Sequence, residues 1–392
     1  MHASRKQFQV RHGHGWFGLA CALTVSSLAS AGASGTNSEP ARPERWFQYT
    51  NEVLDDIPWS IHVIRLDRGS RDFEFVTTLG KGDMFGMGTV SEQLKTLPRA
   101  LGRPMAAING DFYDKSERYQ GRPRDLQICR GEVVSNPAGH TCFWIAPDGT
   151  PQMTNVYSRF RVGFPGGRSI PIGLNQARED DGAVLYTPVI GQSTRTSGGT
   201  ELVLEGTNNS PLQPLRVGQC FGARVKSVRT SGNTELQPGT AVLSVGPALL
   251  ASLPGVQPGA HLTFSTETVP DLAGVTVAIG GGPALVRDSK PMHWSGFLHM
   301  RHPRSALGWN KDYIFLVEVD GRQSNISLGM TFPELADYLI KLGCSEAMNL
   351  DGGGSATLWA LGSVRNSPSE GDERPSANAL VVVRKTPNPS EK

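Results

Sequence analysis

"TFPELADYLIKLGCSEAMNLDGGG", residues 331–354, is the stretch that decides the fold. Thr331 stands at a helix N-cap position, and Glu334 three residues later completes a capping box. Apolar residues then recur on one helical face until Gly343, and a glycine at this point is typical of a helix end. The stretch therefore predicts a helix over 331–342 and then a short strand that leads into three glycines.

Short apolar or alternating runs, typical of β-strands, recur through the rest of the chain. Each is bounded by Gly, Pro, Asn or Asp, and they begin at residues 61, 104, 141, 201, 223, 240, 261, 275 and 313. One other helix is well marked, over 90–101, with Pro98 shortening it. The content of 46 Gly and 27 Pro also favours short strands joined by turns over long helices. We expect an α+β fold of β-rich mixed sheets with a few peripheral helices.

The first 33 residues differ in character from the rest of the chain. A basic start is followed by a mostly apolar run over 16–28 and by small residues over 29–34. This order is typical of a secretory signal peptide. A membrane anchor is the alternative, but spanning a bilayer takes about 20 apolar residues, and this run is shorter and interrupted.

We therefore expect a signal peptide at 1–33, a flexible linker at 34–44, one domain at 45–385 and a flexible tail at 386–392. The predicted location is secreted or periplasmic, with no transmembrane segment after signal cleavage. Loss of the basic leader would take the formal charge from +2 to close to neutral. Because the chain has no basic stripe, we expect no nucleic-acid partner.

Cysteine and histidine spacing gives little support for a metal or another cofactor, and we predict none. The cysteines after the leader are Cys129, Cys142, Cys220 and Cys344. A disulfide across the segment between the first two and buried free thiols both remain open. No CxxC pair is present. His299 and His302 are spaced for a metal on a helix, but Pro303 follows and no third ligand is nearby.

Several strands end in polar residues that a bare turn would not need. The segments are "AAINGDFYD" (106–114), "RHPRSALGWN" (301–310), "VEVDGRQS" (317–324) and "NLDGGGSATLW" (349–359). Successive backbone N–H groups of a glycine-rich turn can bind anions, and arginine suits phosphate or carboxylate oxygens. Yet no P-loop or dinucleotide fingerprint is present. Alone, the glycines fit an anion or sugar site no better than a structural turn.

Taken in order, the motifs resemble the phosphodiester glycosidase family, the relatives of N-acetylglucosamine-1-phosphodiester alpha-N-acetylglucosaminidase, the uncovering enzyme. The resemblance spans about 104–384. Two departures stand out: Asp111 where many relatives carry Gly, and Ser305 where Thr is usual. The matching segments are "AAINGDFYD", "IGGGPALVRD", "HPRSALG", "LVEVDGRQSNISLGMTFPELADYLIKLGCSEAMNLDGGGSATLW" and "ERPSANALVVV".

The resemblance implies a hydrolase that cleaves the glycosidic C–O bond of sugar-1-phosphodiesters in cell-surface or extracellular glycans. Such cleavage passes through an oxocarbenium-like transition state, commonly managed by two carboxyl groups. A phosphate ester is a weakly basic leaving group and needs charge stabilisation more than protonation. The expected catalytic residues are Asp351 and Arg304, and then Asp111. The expected substrate-binding residues are Asn109, Gly352, Gly353, Gly354, Ser355 and the supporting pair Glu373 and Arg374.

Two other function classes stay open at this point. A non-catalytic glycan-binding or exopolysaccharide-assembly protein would keep the glycines but would not need both carboxylates together with Arg304. A metal-dependent phosphodiesterase would cut P–O in place of C–O and would lose activity on chelation. In each class the partner is a sugar-phosphodiester or a glycopolymer.

The predicted leader can be tested directly. Two overlapping small-residue sites predict that the exported chain begins at Gly32 or Ser34. The intact mass of protein from the extracytoplasmic fraction measures this. Retention of Arg5 in that mass would contradict the prediction.

Overall fold

The computed structural model describes residues 45–54, 56–207, 211–294 and 300–386. The predicted signal peptide and linker, the tail from residue 387 and His299 lie outside the described residues. The described residues fall within one compact unit, Glu44–Lys392. None of their helices is both long and apolar enough to span a membrane.

Strands dominate the described residues, which confirms the expected β-rich α+β fold. The helices are α1 Val90–Lys95, α2 Pro247–Leu250 and α3 Phe332–Lys341, with 3₁₀ turns at Arg99–Leu101, Pro188–Ile190 and Gly353–Ser355. The strands are β1 Phe47–Leu54, β2 Trp59–Asp67, β3 Phe73–Thr77, β4 Arg103–Asn109, β5 Gln127–Cys129, β6 Glu132–Ser135, β7 Ala138–Ile145, β8 Pro151–Gly163, β9 Ser169–Pro171, β10 Gly173–Leu174, β11 Ala183–Tyr186, β12 Thr200–Gly206, β13 Cys220–Arg229, β14 Thr240–Val245, β15 His261–Val269, β16 Val277–Gly280, β17 Ala284–Arg287, β18 Lys290–Pro291, β19 Arg304–Trp309, β20 Tyr313–Val319, β21 Glu346–Asn349, β22 Leu358–Ala360, β23 Ser363–Val364 and β24 Ala379–Arg384.

The two predicted helices both form, and both begin with a capping box. In α3 the Thr331 hydroxyl accepts the Glu334 N–H, and the Glu334 carboxylate accepts the Thr331 N–H. Thr89 caps α1 in the same way. However, α1 ends at Lys95, well before the predicted residue 101. Pro98 cannot continue the helix, and the chain resumes as a 3₁₀ turn.

Three sheets build the domain. Their orders are β1-β2-β20-β19-β21-β17-β18, then β10-β11-β14-β12-β13-β15-β8-β7-β16-β5-β6 with β9 paired to β8, and β23-β22-β4-β24-β3. In the first sheet, β19 lies antiparallel between β20 and β21. Strands β20 and β21 are therefore parallel, and α3 is the crossover connection that joins them. The predicted strand–helix–strand unit thus forms, and β19, which precedes it in the chain, lies between its two strands.

A shared core holds the three sheets together. Buried side chains from all of them meet in one cluster, including Leu307 of the first sheet, Phe143 and Ile279 of the second, and Ile108 and Leu380 of the third. Burying a side chain of this kind contributes about 1.5–3 kcal/mol relative to leaving it exposed. This packing brings the ends of several strands to one edge of the domain.

The cysteines after the leader are all free thiols. Strands β5 and β7 pair with opposite sides of β16, so that Cys129 lies beside Val277 and Cys142 beside Gly280. The intervening strand separates the two sulfurs by more than a disulfide spans. Of the two alternatives for this pair, the structure has free thiols.

Candidate functional site

A cleft of about 750 Å³ opens where strands β4, β7, β16, β19 and β21 begin or end. Backbone hydrogen bonds fix the junction: the Asp351 N–H donates to Gly110 O (2.9 Å), and the Gly282 N–H donates to Asn349 O (2.7 Å). The charges on the wall are unequal, because Asp351 is its sole carboxylate among the described residues. The cations that line it are Lys115, Arg124, Arg304, Arg322 and Arg374.

Asp351 projects into the cleft from the segment between β21 and the glycines. Its backbone is held on both sides, because its carbonyl also accepts a hydrogen bond from Asn109 Nδ2 at 2.6 Å. Burial raises the pKa of the Asp351 carboxyl above its usual range, whereas the Ser355 hydroxyl and the Arg374 charge act to lower it. The group is thus a carboxyl on a fixed backbone, and two neighbouring groups favour its ionised form against the effect of burial.

The three glycines permit close packing around this carboxyl. A Cβ on Gly352 would lie 2.8 Å from Pro303 O, and Gly353 has φ +62°, in the left-handed region. The Gly353 N–H donates to Pro303 O at 2.9 Å. That amide is therefore used inside the protein, and the predicted anion-binding role does not fit its placement.

Arg304 is a buried cation that lines the cleft. Its Nε donates to Met330 O and its Nη2 to Met300 O, both at 2.8 Å, and its guanidinium stacks 4.2 Å from the Phe332 ring centroid. Burial, followed by the Arg322 charge, lowers the pKa of Arg304 to about 10. In the described part of the chain no carboxylate forms an ion pair with it. Arg304 is therefore charged at neutral pH, and the described residues supply no anion to pair with it.

Arg374 and Glu373 do not form the predicted pair. Arg374 instead donates to Ser355 Oγ at 2.7 Å and pairs with Glu370 at 3.2 Å. The Glu373 carboxylate accepts the Ser91 N–H at 3.1 Å, at the start of α1. Arg374 thus lines the cleft, Ser355 lies buried beneath it, and Glu373 points to a helix end.

Asn109 lies beneath the cleft and does not line it. Besides its bond to the Asp351 carbonyl, its Oδ1 accepts the Ser305 hydroxyl at 2.6 Å and the Thr357 N–H at 3.0 Å. The side chain is fully buried. These contacts use both of its polar atoms, so its placement corresponds to support of Asp351 in place of the predicted sugar contact.

Asp111 is also buried, with 1% of its surface exposed, and lies behind the cleft wall next to Gly280. Its Oδ2 accepts the Asp125 N–H at 2.7 Å, whereas its Oδ1 has no hydrogen-bond partner. Burial raises the pKa of Asp111 to about 7, although the Arg124 charge acts to lower it. Asp351, the other predicted carboxyl, therefore lines the cleft, whereas Asp111 is not among the residues that line it.

A histidine–aspartate pair is the main feature that sequence reasoning missed. His140 lines the cleft, and its Nδ1 lies 2.7 Å from Asp125 Oδ2. Asp125 is fully buried and also accepts the backbone N–H groups of Leu126, Ala138 and His140. A carboxylate on Nδ1 orients an imidazole and leaves its Nε2 for proton transfer. The two residues are 15 positions apart in the chain, and the residues between them form no recognised motif.

Of the other cationic side chains that line the cleft, the sequence motifs pointed to only some. Arg322, within the "VEVDGRQS" segment, has φ +60°, and its Nη2 lies 3.3 Å from His302 Nδ1. Burial, then the charges of Arg304 and Arg322, lowers the pKa of His302. Arg124 stacks 4.3 Å from the Phe112 ring centroid and donates to Gly281 O. Lys115 and Arg124 had no sequence signal.

Comparison with known proteins confirms the resemblance seen in the sequence. Residues 224–383 match the phosphodiester glycosidase family model. An SPbeta prophage-derived uncharacterized protein, YomE, of Bacillus subtilis (strain 168) is 36% identical over 104 residues, which cover 25% of this chain and 16% of that protein. Bos taurus N-acetylglucosamine-1-phosphodiester alpha-N-acetylglucosaminidase is 30% identical over 109 residues, covering 25% of this chain and 20% of the bovine protein. The alignments therefore span about a fifth or less of the length of these relatives.

The fold itself recurs in a solved structure. A hypothetical protein from Synechocystis superposes with a TM-score of 0.67 at 19% identity, covering 86% of this chain and 62% of that one. At this identity the likeness concerns the fold alone.

The burial of Asp111 predicts a pH-dependent gain in stability for Asp111→Asn. Between about pH 4 and pH 7 the unfolded chain ionises this group while the folded protein keeps it protonated, so folding loses stability as pH rises. The amide cannot ionise, so the variant should gain on the order of 2–4 kcal/mol relative to the wild type between pH 4 and pH 7. Urea unfolding across that range measures the difference. The exposed control Asp83→Asn should show no such trend, and a pH-independent difference for Asp111→Asn would contradict the prediction.

Proposed function

We propose that this protein is a hydrolase that cleaves the glycosidic C–O bond of sugar-1-phosphodiesters, in cell-surface or extracellular glycans. The family match over 224–383 supports a phosphodiester glycosidase type of activity. The name of the bovine relative supports a phosphodiester-linked sugar as the substrate class. The proposed location, secreted or periplasmic, rests on the leader-like sequence of residues 1–33.

The excess of positive charge on the cleft wall is the observation that carries the proposal. Five cationic side chains and one carboxylate line a partly enclosed space, so the field there attracts an anionic ligand. Arg304 is buried, held in position by two carbonyls and without an ion-pair partner among the described residues. A phosphodiester supplies the missing anion and presents oxygens that guanidinium groups bind well.

In this mechanism the bond between the anomeric carbon and the phosphate oxygen breaks, and its electron pair leaves with the phosphate monoester. Water adds its oxygen to the anomeric carbon. Arg304 and its cationic neighbours stabilise the charge that develops on the departing phosphate. Because Arg304 is held in place by two carbonyls and the Phe332 ring before the reaction, it needs little reorganisation as that charge grows.

Two groups are available for the sugar side and for the water proton. Asp351 is a carboxyl in the cleft whose pKa is raised by burial, and it stabilises or attacks the oxocarbenium-like centre. His140, oriented by Asp125, takes the proton from water. Asp111 has no direct role, because it lies behind the wall.

Replacing the cleft carboxyl separates catalysis from binding. Asp351→Asn keeps the shape of the side chain and removes its charge, so turnover should fall by roughly 100-fold or more while ligand affinity is largely kept. Steady-state kinetics on a sugar-1-phosphodiester, with calorimetric binding of a non-hydrolysed analogue, measures both. Asp148→Asn, in an exposed turn, is the matched control. Full activity of Asp351→Asn would remove this residue from the mechanism, and binding without turnover by the wild type would favour a glycan-binding protein.

The position of bond cleavage distinguishes a glycosidase from a phosphodiesterase. Hydrolysis in oxygen-18 water should place the label in the released sugar, since water attacks carbon. Arg304→Lys keeps the charge but loses the planar fork, so it should reduce the preference for sugar-phosphodiesters over simple alkyl glycosides. Mass spectrometry of the products and relative kcat/KM values measure the two effects. Label in the phosphate product would rule out the proposed reaction.

A further inference from the structure

A second cluster of polar side chains lies in the interior, apart from the cleft. It consists of His62 on β2 and of Glu318 and Asp320 at the end of β20, and all three are buried. His62 and Glu318 are direct cross-strand partners. One nitrogen or oxygen atom from each residue lies within 4.8 Å of those of the other two, and His62 Nε2 is 3.0 Å from Asp320 Oδ2. None of the three lines the cleft.

Glu318 is the unusual member of this cluster. It has 0% exposed surface, and among the described residues neither carboxylate oxygen accepts a hydrogen bond of normal geometry. Leaving a buried polar group without a partner costs about 1–3 kcal/mol, and more for a charged group. Burial, and then the nearby Asp320 charge, raises the pKa of Glu318 well above its usual range. Because the side chain is fully buried, water cannot replace the missing hydrogen-bond partner.

Among the described residues, the groups that hydrogen-bond to His62 and Asp320 from outside the cluster are neutral. Tyr49 Oη lies 2.9 Å from His62 Nδ1, and the Ser367 N–H donates to Asp320 Oδ1 at 2.7 Å. Asn51 and Ser60 also contact His62, and Asn366 is the polar neighbour of Glu318. The nearby guanidinium of Arg365 stacks on Tyr49 and donates to Ala360 O. Two buried carboxyl groups thus face one imidazole and neutral hydrogen-bonding groups.

We propose that His62, Glu318 and Asp320 bind a divalent metal ion of the zinc or manganese class. An imidazole nitrogen with two carboxylates is a donor set that these ions accept, and two positive charges balance two carboxylates. Ligand atoms about 2.0–2.2 Å from a tetrahedral ion lie about 3.4 Å apart, so small rotations of these side chains complete the site. The orphan Glu318 oxygens then become ligands.

This ion has a structural role. Asp320 begins the turn that carries Arg322 to the cleft, and the Ser327 hydroxyl already bonds the Asp320 carbonyl at 2.5 Å. A metal ion that binds both Asp320 and His62 links this turn to β2. Because the site is buried, the metal enters as the chain folds, and its binding free energy adds to folding. The inference does not depend on the proposed reaction.

Metal content tests the proposal independently of activity. The full chain, without a polyhistidine tag, is expressed in defined medium containing zinc and manganese and analysed by plasma mass spectrometry. We expect about one equivalent of zinc or manganese per chain, and at least a tenfold loss in Glu318→Gln, which keeps the shape but removes the charged ligand. Glu201→Gln is the matched control, because Glu201 is another fully buried glutamate but is hydrogen-bonded by Thr196 and Thr234. It should keep its metal.

A second measurement uses the wild type alone, so that it stands even if Glu318→Gln does not fold. The protein is unfolded and refolded with a chelator, or with added zinc or manganese, and its melting temperature is recorded. We expect the metal-refolded protein to melt several degrees higher. A purified wild type that is folded, contains less than about 0.1 equivalent of either ion and melts at the same temperature with and without them would overturn the proposal. Glu318 would then be a buried, protonated acid.

Discussion

The side chain of Asn109 makes the contacts on which the arrangement of the cleft depends. Its amide nitrogen binds the Asp351 carbonyl, and its amide oxygen accepts the Ser305 hydroxyl and the Thr357 N–H. One residue at the end of β4 thereby joins β19 to the segments that enter and leave the glycines. Because these groups are buried, each would carry a desolvation penalty without its partner. The position of the Asp351 carboxyl is thus set from below, by a residue that does not itself line the cleft.

Arg304 is not stabilised in the way that buried charges usually are. Buried arginines normally pair with carboxylates, yet Arg304 is held by main-chain carbonyls and an aromatic ring. Carbonyls and rings orient a guanidinium without neutralising it. The positive charge of Arg304 therefore remains available to a ligand. Other contacts in the fold offset the free-energy cost of burying that charge. The proposed metal site follows from the same reasoning, because Glu318 is a fully buried carboxyl whose oxygens have no hydrogen-bond partner among the described residues.

Local patterns in the sequence predicted the elements well but not their spatial relations. The capping boxes and the apolar strands needed only nearby residues, and for the same reason Asp351 could be placed at a strand end. The long strand β8 was missed, because its buried positions alternate with Tyr, Ser and Arg and no apolar run marks it. His140 and Asp125 meet only because β7 folds back past the turn before β5, which no local motif specifies. Asp111 was predicted as a catalytic residue, yet β16 packs against it and it is buried behind the cleft wall.

The pairing of β3 with β24 has a consequence for how the chain folds. Thr78 and Ala379, hydrogen-bonded at the end of that pair, are 301 residues apart. The central strand β4 likewise lies between β22 and β24, so its sheet is complete only when the last strand of the chain is present. Contacts of such high sequence separation slow folding, because the chain loses the entropy of closing a long loop before the contacts stabilise it. Strands β3 and β4 therefore stay without these partners until almost the whole chain is available, whereas β1 and β2 pair with each other locally.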